Sequence, residues 1–284
     1  MLSRLSTIFT PGVRSIMLAT LFFAFMNTGV KFIGRIPSHE IVFVRAVVTL
    51  IVGYILVRKA GLDPRGNNKP VLLLRGLTGT VAMVLYFYTV QHMPLASAVT
   101  IQYLSPIFTV IIAGLLLKEP PRPIQWLFFL ISFGGVLMVK GFDPRVSVLD
   151  LTLGIFAAVF SAMAYNFIRK LKNSDHHYVI VFYFSLITVP FVGAYCLYDW
   201  VTPTLFEWAV MIGIGLAVTI AQIYMTRGYQ LEKAANISNY NYLGTLYALI
   251  IGYFLFDEMF GIPAFVGIGL IIFGVLMSSR YRQS

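Results

Sequence analysis

The residues of this chain suited to handling a small molecule are amides, tyrosines and arginines embedded in apolar surroundings. Gln102-Tyr103 and Asn241-Tyr242 are two amide–phenol pairs 139 positions apart. Asn27, Tyr86, Asn166, Gln222 and Ser238 add further neutral hydrogen-bonding groups, and Arg45 adds a charge. An amide offers donors and an acceptor, and tyrosine offers a flat apolar face with a hydrogen-bonding tip. An arginine keeps its proton, so inside an apolar medium it needs a carboxylate, carbonyls or an anionic ligand. This set binds; it does not catalyse. The acidic residues Glu40, Asp63, Glu119, Asp143, Asp150, Asp175, Asp199, Glu207, Glu232, Asp257 and Glu258 all fall at the ends of apolar stretches or between them. His39, His92, His176 and His177 do the same, and Cys196 is the single cysteine. No paired carboxylates, nucleophile with a base, or metal-ligand cluster is discernible. The expectation is a protein that is not an enzyme and takes no cofactor and no metal.

The elements that must position these groups follow from composition. The chain is 58% hydrophobic and only 11% charged, with a mean hydropathy of +0.83. Soluble domains carry about 25% charged residues, so the chain reads as an all-α polytopic membrane protein. A span needs about 20 mostly apolar residues. Ten are predicted: 13–33, 39–58, 70–91, 95–117, 123–140, 149–169, 177–198, 205–228, 234–256 and 262–280. The first lacks a small-residue cleavage site and is read as a retained helix. The connections are short, so residues 1–284 form one transmembrane domain.

One stretch occurs twice. A shift of 139 places Gln91 on Gln230, Ala96 on Ala235, Tyr103 on Tyr242, Leu104 on Leu243 and Glu119 on Glu258. The same shift places Gly135-Val136-Leu137-Met138 on Gly274-Val275-Leu276-Met277. Ten spans in two copies give five-helix repeats over 13–140 and 149–280. An odd number per copy inverts one relative to the other, as in secondary transporters whose substrate sits between the halves. With the N-terminus inside, only Lys31, Arg35, Lys140 and Arg145 among the 21 basic residues fall outside, and Arg45 and Arg75 fall within spans. Basic residues favour cytoplasmic loops, which predicts both termini in the cytoplasm. It also assigns the net charge of +10 to orientation against anionic lipid and not to nucleic acid. Trp126, Trp200 and Trp208 take interfacial positions, and Gly134, Gly135, Gly267, Gly269 and Gly274 allow close helix approach.

At this point the chain resembles the drug/metabolite transporter superfamily, specifically its EamA-type members. The resemblance rests on the two five-helix repeats and on a glutamate closing the fourth helix of each, in Leu117-Lys118-Glu119-Pro120 and Phe256-Asp257-Glu258. The arginine in Phe43-Val44-Arg45 adds to it. It implies a ten-helix inverted-repeat carrier with a central cavity, moving a small organic solute by alternating access. Members carry amino acids, nucleotide sugars, phosphorylated sugars, S-adenosylmethionine and cationic drugs. Phe184 stands where the shift would place a partner for Arg45, which implies asymmetric charge recognition.

The expected substrate-binding residues are Asn27, Arg45, Tyr86, Gln102, Tyr103, Asn166, Gln222, Ser238, Asn241 and Tyr242. By helical spacing Ser238, Asn241, Tyr242 and Thr245 share one face. Pro106 removes a backbone hydrogen bond within the fourth span, as a kink that shapes the cavity or as a packing accident. For Arg45, a structural contact with Glu40 or carbonyls stands beside substrate binding. Lys31 joins it or snorkels, and Arg75 snorkels toward the inner boundary. Glu119 and Glu258 each pair with a neighbouring donor to hold a turn. The lack of an acid or histidine deep in the spans favours facilitated diffusion or exchange over proton coupling. The expected partners are the bilayer and a small-molecule substrate, for a monomer or weak dimer in a bacterial-type inner membrane. A lipid flippase or scramblase of the same architecture is the main alternative, and an intramembrane lipid-modifying enzyme a weaker one.

Overall fold

The computed structural model of the chain describes residues 10–92, 98, 101–140, 147–256 and 261–281. Among these stand ten helices of at least 12 residues. They are α1 (Pro11–Phe32), α2 (Ser38–Lys59), α3 (Lys69–His92), α4 (Ser105–Leu116), α5 (Pro123–Lys140), α6 (Val148–Lys170), α7 (His177–Cys196), α8 (Leu205–Leu231), α9 (Leu243–Phe256) and α10 (Ile262–Arg280). Their starts follow local chemistry. Thr10, Ser147 and Thr204 cap α1, α6 and α8 through side-chain oxygens, and Thr204 with Glu207 completes a capping box. Six helices, α1–α3 and α6–α8, are long and apolar enough to cross a membrane on their own.

The two fourth spans are not continuous. The sequence predicts unbroken helices over 95–117 and 234–256. In the first copy the chain turns at Tyr103-Leu104 before α4 resumes at Ser105. Pro106 sits in the first turn of α4, where its missing N–H costs nothing to the helix that follows but leaves the Gln102 carbonyl without its usual donor. In the second copy Ala234–Ile237 form one α-turn, Ser238–Tyr242 a 3-10 segment, and only then does α9 begin. No proline stands there. The break comes instead from a run of asparagines whose side chains compete for backbone partners. Asn241 Nδ2 donates to the Ser238 carbonyl at 3.0 Å, and Asn239 Nδ2 donates to the Gly274 carbonyl at 2.9 Å. The shift of 139 carries one break onto the other.

Packing obeys a pseudo-two-fold. α1 lies against α8 as α3 lies against α6; α2 meets α8 as α7 meets α3; α4 meets α6 as α9 meets α1. The equivalent helices α2 and α7 meet each other, as do α5 and α10. Gly53 of α2 faces Phe182 while Gly193 of α7 faces Phe43, so this pair is antiparallel. In α5 and α10, Gly135 faces the Gly267 carbonyl and Ile271, while Gly274 faces Ser132 and the Phe128 carbonyl. Two helices related by a two-fold within the membrane plane must run in opposite directions, so the repeats are inverted. The close crossing of α5 on α10 depends on Gly135 and Gly274; nothing approaches Gly134 or Gly269. The outer surface is strongly apolar, with Leu115, Phe254 and Phe265 among the exposed side chains, as lipid contact requires.

Candidate functional site

The two breaks meet α1, α2, α3, α6 and α8 around a cavity of about 250 Å³. Of the residues singled out in the sequence, Asn27, Arg45, Tyr86, Gln102, Tyr103, Gln222 and Asn241 line it. Thr20, Arg75, Ser105, Ser161, Tyr165 and Phe184 line it as well. Three of the expected residues lie behind the wall. Asn166 is fully buried and spends its amide on the Ala162 carbonyl of its own helix at 2.9 Å and on the Thr109 carbonyl at 3.0 Å, the latter tying α6 to α4. Ser238 and Tyr242 are also fully buried. Successive residues of the 3-10 segment point about a third of a turn apart, so Asn241 turns to the cavity and its neighbour Tyr242 into the core, while the Ser238 hydroxyl meets the Tyr229 hydroxyl at 3.4 Å. The rings of Tyr103 and Tyr242 still meet, with centroids 5.8 Å apart.

Arg45 is 8% exposed and has no carboxylate partner among the described residues. Its guanidinium donates to the sulfurs of Met83 and, at 3.8 Å, Met26, and lies 5.6 Å from the centre of the Phe87 ring. Thioethers are weak acceptors, so the charge is held by soft, polarisable contacts. Glu40 is engaged elsewhere: it is fully buried and accepts from the Val201 N–H at 2.5 Å.

Arg75 does not snorkel. It is 2% exposed, stacks 4.5 Å from the centre of the Phe184 ring, and reaches Gln222 Oε1 only at 3.4 Å. Its Nε and Nη1 have no hydrogen-bond partner among the described residues. Counting positions from the helix start placed it near the boundary, but the side chain folds inward over Gly79, where no side chain would fit. The available signal was a glycine one turn after a charge.

Asn27 both lines the cavity and is exposed. The terminal face, where α1 begins and α10 ends, is closed by side-chain contacts. Tyr165 and Tyr229 stack 4.9 Å apart at 10°, and Asn241 Nδ2 donates to the Tyr229 hydroxyl at 3.0 Å. Below them Arg169 donates to both carboxylate oxygens of Glu119, at 3.0 and 3.3 Å, and to the Gln230 carbonyl at 2.8 Å. Asp175 gathers the backbone N–H groups of Asn67 and Asn68, at 2.6 and 3.1 Å. Glu119 is delivered by an unusual helix end: its N–H bonds the Ala113 carbonyl at 3.2 Å across Lys118, which sits at φ +56°. Lys118 takes the left-handed conformation that glycine usually supplies just after a helix. Glu258 lies outside the described residues, as do the side chains of Lys31 and Gln91.

The sequence profile of the EamA-like transporter family matches residues 10–141 and again 149–280. The pseudopaline exporter of Pseudomonas aeruginosa is 32% identical over 279 residues, covering 96% of this chain and 97% of its own. Human solute carrier family 35 member G1 is 27% identical, covering 87% of this chain and 73% of its own. The S-adenosylmethionine uptake transporter of Rickettsia prowazekii is 26% identical, covering 80% and 78%. A solved crystal structure superposes with a TM-score of 0.85 at 18% identity, covering 95% of this chain and 97% of that one, which is a likeness of fold.

Proposed function

Because the chain belongs to the EamA-like transporter family, we propose that it carries a small organic anion (an amino acid, carboxylate or phosphorylated metabolite) across the membrane by alternating access. The observation that supports this reading most is Arg45, a buried charge facing the cavity with no acidic partner among the described residues. A cationic solute 4 Å away would meet a repulsion of about 4 kcal/mol at an effective dielectric near 20. An anion supplies the missing counter-charge. Neither a carboxylate nor an imidazole lines the cavity among the described residues, which favours flux down the solute gradient or against a counter-solute. One relative is named an exporter and another an uptake transporter, so direction is left to the gradients.

The test is flux in sealed proteoliposomes. Arg45→Gln is expected to raise the apparent KM for an anionic solute about 10- to 100-fold, the worth of one charge-assisted hydrogen bond, with folded yield retained. Uptake of a permanent cation, insensitive to Arg45→Gln and driven by an imposed proton gradient, would sink the reading. Fluorescent lipid flipping in the same vesicles, without solute flux, would favour a flippase.

Both termini are placed in the cytoplasm of a bacterial-type inner membrane, on the strength of the basic residues around Arg58–Lys69 and Arg169–Lys172. Reporter fusions at Ser284 and within the Pro64–Lys69 loop should both read cytoplasmic. A periplasmic reading at either reverses the assignment.

A further inference from the structure

We propose that Arg45 and Arg75 are two anion subsites of one cavity, and that the solute carries two acidic groups about one helical turn apart. This rests on the anion reading above and narrows it. Both guanidiniums are buried in the lining, and neither has a carboxylate partner among the described residues. Arg75 is the less satisfied: two of its nitrogens are unpartnered and its only acceptor is a distant amide oxygen. A buried cation left in this state is costly unless something enters to pair with it.

The spacing can be read along α3. Arg75 Nη1 lies beside Gly79, and Arg45 Nη2 reaches Met83. Gly79 and Met83 are one turn apart on the same face, about 6 Å along the axis. Two like charges at that distance repel one another in a cavity of low dielectric. A monoanion would neutralise one and leave the other. A solute with two acids about 6 Å apart satisfies both, and the repulsion between the arginines in the empty cavity becomes part of the driving force for loading. The arrangement is built by asymmetry between the repeats. Phe184, the counterpart of Arg45 in the second repeat, supplies no charge there; its ring is the platform under Arg75. Arg45 lies about two turns into α2 and Arg75 about two turns into α3, at different depths of one cavity.

The test compares acids with their own amides. Thermal unfolding of purified full-length protein is followed with glutarate, glutamate and 3-phosphoglycerate, and with glutaramate and glutamine as matched compounds lacking one acid. Ligand binding raises the unfolding temperature by mass action. At least one diacid is expected to stabilise the protein, with its amide at least tenfold weaker. Arg75→Gln should abolish that preference while leaving monoacid binding, and Arg75→Lys should retain part of it. The wild-type comparison stands even if a variant fails to fold. Equal binding of acid and amide with Arg45→Gln still harmful overturns the second subsite and leaves the anion reading intact. Stabilisation by cations alone overturns both. No stabilisation by any diacid overturns the two-acid inference.

Discussion

Tyr242→Ala is expected to cost most of the folded protein, while Tyr103→Ala leaves folding intact and removes transport. By sequence the two tyrosines are equivalents. In the structure Tyr103 is half-buried and lines the cavity, and Tyr242 is fully enclosed. Emptying an enclosed aromatic site costs about 3–5 kcal/mol, a large part of the total stability of a domain. The Tyr242 hydroxyl has no hydrogen-bond partner among the described residues, so Tyr242→Phe should be close to neutral. Folded yield by size-exclusion profile, with flux per folded molecule, separates the roles. Normal yield with lost flux for Tyr242→Ala would place that side chain in the transport path instead.

Arg169→Ala is expected to lower the unfolding temperature and loosen the closed floor. The Arg169–Glu119 pair is largely shielded, with side chains 8% and 18% exposed. Removing one partner of a buried pair costs about 3–5 kcal/mol, because the other charge is stranded. The pair joins the end of α4 in one repeat to the end of α6 in the other, and Arg169 also holds the last turn of α8 through the Gln230 carbonyl. Under the alternating access proposed above these ends would separate, so weakening them should populate the form open to the terminal face. A cysteine introduced by Tyr165→Cys, in a Cys196→Ser background, should then be labelled faster by a membrane-impermeant thiol reagent supplied from that face. The double variant Glu119→Ala with Arg169→Ala should recover part of the lost stability, since no charge is left unpaired. An unchanged unfolding temperature and labelling rate would assign the pair no role in closure.

The sequence by itself determined the class, the number of helices and their inverted relation. Those follow from quantities that sum along the chain: apolar length sets spans, and repeats of residue type set the symmetry. It also singled out Arg45, Gln102, Tyr103 and Asn241, because a polar group within a span is conspicuous without any knowledge of its neighbours. Only the tertiary structure decided which way such groups face. Asn166 and Gln222 are both amides within spans, yet one ties α6 to α4 and the other lines the cavity. Asn241 and Tyr242 are neighbours in sequence that point about a third of a turn apart, which puts one in the wall and the other in the core. Arg75 stands near a boundary by sequence, yet it enters the cavity because a flexible side chain can travel one turn along its helix where a glycine leaves room. The partner of Glu119 lies 50 residues away in the other repeat, a pairing that no local pattern encodes and that arises only when the two halves close on each other.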